Sequence, residues 1–231
     1  MQKFTEIFSE SELANANLSD QNFSNVDFTG VDLTGRDLSD SDLTNAVFKD
    51  AILKNTNLGH TILCGANFEG AEMHGVIMNN VDIRWSTMRN LNLEGADFHD
   101  SDVTGVDFSG SNLRDSNFRN AVAIEAAFRK GNLISSDFFG ADITAADFTD
   151  ANLNLAQLSE TRYKTIDLVS EDEWKTSFVG ADLTNTKLRN ALIYNADLTN
   201  SILTKTDFKD STLECCVDEN NQHIILTISQ S

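Results

Sequence analysis

The chain has 231 residues, none of them proline, and a formal net charge of −19. Such a charge repels nucleic acid and anionic membranes and attracts basic protein surfaces, which excludes direct binding to nucleic acid or to a membrane. The three cysteines show no disulfide spacing. Together with the lack of a signal segment or a bilayer-spanning apolar run, this predicts a cytoplasmic protein.

Residues 1–10 are predicted to form an N-terminal cap. The segment from Lys3 to Glu10 mixes apolar and polar side chains in a pattern that suits a short amphipathic helix. An elongated repeat fold needs such a cover, because an open end exposes unpaired backbone groups.

Residues 11–213 carry a repeat of five residues. An apolar residue, most often Leu or Phe, stands at positions whose numbers end in 3 or 8; Asp or Asn usually precedes it, and Ala, Ser, Thr or Val precedes that. A period of five fits neither an α-helix nor a flat strand. It fits a coil in which each unit forms one side and turns one corner. The small and large apolar residues then point inward, and Asp or Asn points outward.

Phenylalanine indicates the number of sides in each coil. Every twentieth residue from Phe8 to Phe208 belongs to one column that holds eight of the 15 phenylalanines, whereas the column from Leu13 to Leu153 holds none. Coils of 20 residues stack like residues in registered ladders. We therefore predict an all-β coil with four sides and about ten turns.

Several units carry the motif in full, among them Ala66-Asn67-Phe68, Ala96-Asp97-Phe98, Ala141-Asp142-Ile143 and Ala181-Asp182-Leu183. They resemble the pentapeptide-repeat family, and the resemblance covers nearly the whole chain. It implies a solenoid that is a right-handed quadrilateral β-helix. It does not by itself imply one function, because functions in this family are diverse.

The pattern fails near residues 169–176. Glu171 and Glu173 stand at inward positions there, and burial of two unpaired carboxylates is too costly. We predict a loop or bulge, which is either an irregular coil or a loop that contacts a partner.

Residues 214–231 follow the last repeat. Asp218 to Asn221 is typical of a turn, and His223 to Ile228 is typical of a strand. This strand either caps the last coil or pairs with a second copy, and the family resemblance implies the possible homodimer through the C-terminal end.

No catalytic or cofactor motif is present. The four histidines lie in different columns, without cysteine or histidine partners at metal-ligand spacing. A regular rod also lacks the concave pocket that a small molecule needs. We expect no enzyme activity, no cofactor and no metal.

One corner of the predicted coil forms an acidic stripe. A straight negative rod suits a basic DNA channel, which makes mimicry of DNA our first hypothesis. The chain resembles family members that bind type II topoisomerases, which implies DNA gyrase or topoisomerase IV as partner. The stripe comprises Asp20, Asp40, Asp42, Asp82, Asp100, Asp102, Asp142, Glu160 and Asp182.

A second hypothesis rests on outward apolar residues. Ile134, Trp174 and Tyr194 fall in one twenty-residue column, and aromatic residues are frequent at interfaces. The chain would then be a scaffold or a secreted effector that binds a cellular protein through this column. Other outward apolar residues are Val47, Ile52, Ile62, Trp85 and Phe139.

Overall fold

The computed structural model describes residues 1–7, 16–161, 176–194, 196–217 and 223–227. The named elements are few: β1 Gln2–Lys3, α1 Phe4–Ile7, β2 Val26–Asp27, β3 Leu192–Tyr194, β4 Thr212–Val217 and β5 His223–Thr227. Most of the chain consists of coils joined by isolated bridges. No helix in the described ranges is long and apolar enough to cross a membrane.

Stacked coils of 20 residues form a right-handed quadrilateral β-helix, as predicted. Parallel bridges join outward residues one coil apart, for example Asp27 to Val47 and Val47 to Asn67. The Phe28 N–H donates to the Val47 carbonyl at 2.7 Å in the same ladder. From Asp20 to Glu160, every residue whose number is a multiple of five has a φ between +53° and +74°. These are the corners, and Gly, Asn and Asp prevail there because they tolerate a positive φ best.

The core consists of the large and small inward residues of each unit. Phe118 and Phe138 stack at 4.6 Å, and Phe128 and Phe148 stack at 4.9 Å in the neighbouring column. Rings of the two columns meet edge to face, as between Phe128 and Phe138. These rings are fully buried, so the phenylalanines give the core both its apolar area and a fixed stacking geometry.

Most buried hydroxyl groups at the small inward position donate to a backbone carbonyl, either in the adjacent coil or three residues earlier in their own coil. The Ser111 hydroxyl donates to the Met88 carbonyl at 2.6 Å, and the Thr56 hydroxyl donates to the Leu33 carbonyl at 2.8 Å. Such bonds offset the cost of burying a hydroxyl group. Serine and threonine therefore alternate with alanine at this position without disturbing the coil.

A change of register occurs between Thr161 and Thr176. The bridges that follow join residues 30 apart, for example Asp147 to Ser177 and Asn152 to Asp182. The chain thus contains ten residues more than one coil needs. The predicted loop near 169–176 falls in this interval, but apart from Thr176 it lies outside the described residues.

The extra residues correct the predicted phenylalanine column. Phe178 stacks on Phe148, with ring centroids 5.1 Å apart, so Phe178 continues that column in place of Phe208. The prediction for Phe208 was wrong because a ten-residue insertion equals half a coil. It keeps the five-residue frame but moves every later residue to the opposite side.

Both ends of the chain add strands to the coil. β1 pairs in parallel with β2, and Phe4 in α1 is buried with its ring 4.6 Å from Phe28. At the other end β4 pairs in parallel with β3, and β5 pairs antiparallel with β4. β5 therefore pairs within its own chain, and homodimerisation through this end stays a prediction.

Candidate functional site

The outward Asp or Asn of each unit has a structural role. The Asp42 carboxylate accepts a hydrogen bond from the Thr44 N–H at 3.0 Å, and the Asn67 amide oxygen accepts one from the Glu69 N–H at 2.9 Å. This bond recurs along the rod and satisfies a backbone donor that the ladder leaves free. Both Asp and Asn accept this bond, so the fold requires the oxygen acceptor but not the charge.

These bonds predict a pH dependence of stability. The pKa of Asp27, Asp32 and Asp37 lies below the ordinary value because the hydroxyl and N–H of the residue two positions later donate to each carboxylate. A lowered pKa in the folded state stabilises the protein above the unfolded pKa of about 3.9, and this contribution is lost as the pH falls through the folded pKa.

A variant with Asn at Asp27, Asp32 and Asp37 keeps the acceptors but cannot titrate. Its urea midpoint is therefore expected to fall less than that of the wild type between about pH 4 and pH 2. Urea titrations followed by circular dichroism across this range measure the difference. Parallel curves for the two proteins would contradict the expectation.

The structure changes one member of the predicted acidic stripe. Asp182 bridges to Asn152 and lies on the opposite edge of the rod, so its assignment was wrong. The Asn190 amide donates to Glu160 at 2.9 Å, and the Asn190 N–H donates to the Lys209 carbonyl, which places Asp210 on the stripe. The term "acidic edge" below means the corrected set: Asp20, Asp40, Asp42, Asp82, Asp100, Asp102, Asp142, Glu160 and Asp210.

One basic residue contacts the acidic edge. Arg84 donates from Nε and Nη2 to the two carboxylate oxygens of Asp82, each at 2.7 Å, and its Nε lies 3.6 Å from Asp102. The hydrogen bond from Arg84 holds the pKa of Asp82 below its usual range against the effect of burial. Burial and the nearby Asp82 raise the pKa of the Cys64 thiol to about 11, and the thiol donates a hydrogen bond to Asp82 at 3.0 Å.

Other basic side chains of the described ranges pair with acids away from the acidic edge. Arg89 lies 3.3 Å from Asp107, and Arg119 lies 2.9 Å from Asp137. Further pairs of this kind are Lys49–Glu69, Lys54–Glu72, Arg129–Asp147 and Arg189–Asp207. These ion pairs involve carboxylates outside the acidic edge, so among the described residues most carboxylates of the acidic edge have no ion-pair partner.

The predicted apolar column does not exist as one surface. Ile134 and Asn154 lie on the same side of successive coils. The next coil on that side contains Asp182, because Asp182 bridges to Asn152. The Leu192 N–H donates to the Thr161 carbonyl, so residues 192–194 stack on the side of the coil that begins at Thr161. The backbone of Tyr194 therefore lies on the side opposite Ile134. The prediction was wrong because the ten extra residues fall between Ile134 and Tyr194. Trp174 lies outside the described residues.

A metal centre would need several ligating side chains in one place. Within the described residues, no group of three His, Cys, Asp or Glu side chains lies close enough to hold a metal ion. His99 pairs with Asp97 at 2.8 Å, and its role is explained by that contact.

Comparison with known proteins identifies the repeat. The pentapeptide repeat region matches residues 41–118, and pentapeptide repeats in eight copies match 8–40, 104–138, 116–154 and 176–214. No curated protein sequence matches the chain. These family matches together cover most of its length.

The chain is similar to solved structures of pentapeptide repeat proteins at low sequence identity, and the first of them shares the fold. HetL, a pentapeptide repeat protein involved in heterocyst differentiation regulation from the cyanobacterium Nostoc sp. strain PCC 7120, is 22% identical over 94% of this chain and 100% of its own, with a TM-score of 0.54. Trypsin-treated QnrB1, a plasmid-mediated fluoroquinolone resistance protein, is 17% identical over 81% and 87%, with a TM-score of 0.43. A pentapeptide repeat protein of the Arabidopsis thaliana thylakoid lumen is 28% identical over 58% and 69%, with a TM-score of 0.20. The chain belongs to the pentapeptide repeat family.

Proposed function

We propose that the protein is a non-enzymatic, cytoplasmic binding protein whose acidic edge occupies the basic DNA channel of an enzyme, with DNA gyrase or topoisomerase IV as first candidates. The observation that carries the proposal is the alignment of nine carboxylates along one edge of the stacked coils. Basic surfaces built to grip phosphates attract such an edge by the same electrostatics.

The fold does not require these charges. Asp40 and Asp100 stand at corners, where Asn80 and Asn120 occupy the same column with similar φ values. Asp42 and Asp142 accept the same backbone hydrogen bond that Asn accepts elsewhere. Asparagine would therefore fill these positions without loss of the coil, and the concentration of acids on one edge points to a partner.

The length and charge density of the acidic edge can be compared with those of duplex DNA. Stacked rings show a coil spacing of 4.6 to 5.2 Å, close to the strand spacing of a sheet. At about 4.8 Å per coil, the edge from Asp20 to Asp210 is about 43 Å long. Its charge density is about one third that of duplex DNA, which carries one charge per roughly 1.7 Å. Binding should therefore be strongly salt-dependent.

A matched pair of variants tests the proposal. The edge variant carries Asn at Asp40, Asp42, Asp100 and Asp142; the control carries Asn at Asp32, Asp50, Asp150 and Asp182 on the opposite edge. Each set has two corner residues and two that accept from a threonine N–H. Net charge changes equally, so the two variants differ only in which edge is neutralised.

The edge variant is expected to bind purified gyrase about tenfold more weakly than the wild type, since each lost charge contact contributes up to about 1 kcal/mol. The control should bind within about twofold of the wild type, the variation typical of surface changes. Biolayer interferometry at low and physiological salt and a supercoiling assay measure both. Absence of wild-type binding to gyrase and topoisomerase IV at low salt, or equal loss in both variants, would refute the proposal.

A further inference from the structure

Trp85 occupies an unusual position on the rod. It is a corner residue with a φ of +61°, in a region where bulky side chains are rare. It is the bulkiest side chain among the described residues with a positive φ, and it is 60% exposed. A strained conformation that presents a tryptophan to solvent points to a use outside the core.

The Trp85 ring packs against the backbone of Gly105 in the adjacent coil. A Cβ at Gly105 would lie 2.1 Å from Cε3 of Trp85, so the ring rests on the bare backbone of the next coil. The ring therefore has a defined seat, and its exposed fraction leaves an aromatic surface open to solvent. Such a seated ring loses little conformational entropy when a ligand binds.

The surroundings of Trp85 favour a cation. The acidic edge lies across one side of the coil, and Glu125 is exposed at the same corner as Trp85. Arg84, the basic residue that precedes Trp85 in the chain, already pairs with Asp82 and Asp102. A positive group that approaches the ring thus meets a negative potential and an aromatic face, which is the arrangement for a cation–π interaction.

We infer that Trp85 binds an arginine or lysine side chain of the partner, as a specific contact beside the acidic edge. This rests on the proposed function only in that the partner surface is basic. The acidic edge attracts the partner over a distance, and Trp85 holds one cation at short range.

Leu155 supplies a matched control. It is also a corner residue, with a φ of +63° and 57% exposure, and it lies on the diagonally opposite corner. Leucine has no aromatic face. Asparagine tolerates a positive φ, so Trp85→Asn and Leu155→Asn relieve the same kind of backbone strain, and each removes a large exposed apolar side chain.

Two probes distinguish this inference from the proposed function: purified DNA gyrase and a deca-arginine peptide. For both probes, Trp85→Asn is expected to weaken binding about fivefold, whereas Leu155→Asn should change it less than about twofold. A Trp85→Phe variant should keep part of the affinity. Thermal melting followed by circular dichroism verifies that each variant is folded.

Each outcome decides one of the two ideas. Peptide binding that depends on Trp85 supports the inference even when gyrase does not bind, in which case only the gyrase assignment fails. Peptide binding that is the same in wild type and Trp85→Asn overturns the inference, whatever gyrase does. Equal losses for Trp85→Asn and Leu155→Asn also overturn it, because the effect would then come from general apolar surface.

Discussion

Replacement of Ala126 with aspartate is expected to unfold the central coils, whereas the same replacement at Ala127 should leave the fold intact. Ala126 is an inward residue and fully buried. An unpaired carboxylate at this place costs several kcal/mol, which is a large part of the roughly 5–15 kcal/mol that stabilises a typical domain.

Ala127 stands at the outward position that Asp or Asn usually fills. In its own column Asp107 accepts from the Ser109 N–H and Asp147 accepts from the Thr149 N–H, each at 2.9 Å. A carboxylate at Ala127 would accept from the Arg129 N–H in the same way. The free energy of unfolding should therefore stay within about 0.5 kcal/mol of the wild type or rise.

Urea denaturation and soluble yield measure both effects. The Ala126→Asp protein should also regain structure at low pH, where the buried carboxyl group is neutral. Equal destabilisation by the two substitutions would contradict the assignment of inward and outward positions.

Replacement of Phe138 with alanine is expected to cost about 3–5 kcal/mol, the usual range for a buried phenylalanine. Phe138 is fully buried, stacks on Phe118 and meets Phe128 and Phe148 edge to face. Its loss leaves a cavity that the stacked backbone cannot close, because every ladder bond fixes the coil spacing.

Phe139, the next residue, is the control. It points outward and lies under the Arg119 guanidinium, 4.6 Å from the ring centroid. Its replacement with alanine removes a surface cation–π contact and should cost no more than about 1 kcal/mol. Chemical denaturation of both variants tests the contrast, and similar costs would contradict the buried double column of phenylalanines.

The sequence predicts most of the fold because the order of residue types within each five-residue unit determines which residues point inward and which residue turns the corner. A small residue two positions before Phe118 or Leu133 has to point inward when the large one does, and the fifth residue has to turn the corner. The twenty-residue spacing of Phe28, Phe48 and Phe68 then gives four sides, and their rings stack as this spacing requires.

The position of the ten extra residues is not evident from the five-residue frame. Any five-residue unit can stack on any other. An insertion of two units therefore leaves the pattern of inward and outward residues intact and changes only the side of the coil on which each later residue lies. This is why Asp182 and Tyr194 were placed wrongly and Asp210 was missed. One signal was available: removal of ten residues after Thr161 brings Phe178 into line with Phe148.

The contact of the Trp85 ring with Gly105 is not evident from the five-residue frame either. The sequence shows Trp85 as one of several outward apolar residues, and only its positive φ and the seat on Gly105 distinguish it from Ile62 or Val47. The repeat predicts the corner position and its positive φ, whereas the contact with Gly105 depends on the neighbouring coil, which lies 20 residues away in the chain.

The interchangeability of Asp and Asn at the outward position has a consequence for evolution. Codons for the two residues differ by a single base, so one point mutation adds or removes a charge. The acceptor oxygen remains, as the equivalent bonds of Asp42 and Asn67 show. Natural variation can therefore redraw the charge pattern of the rod one unit at a time while the core is inherited unchanged, and a new partner can be acquired without passing through an unstable protein.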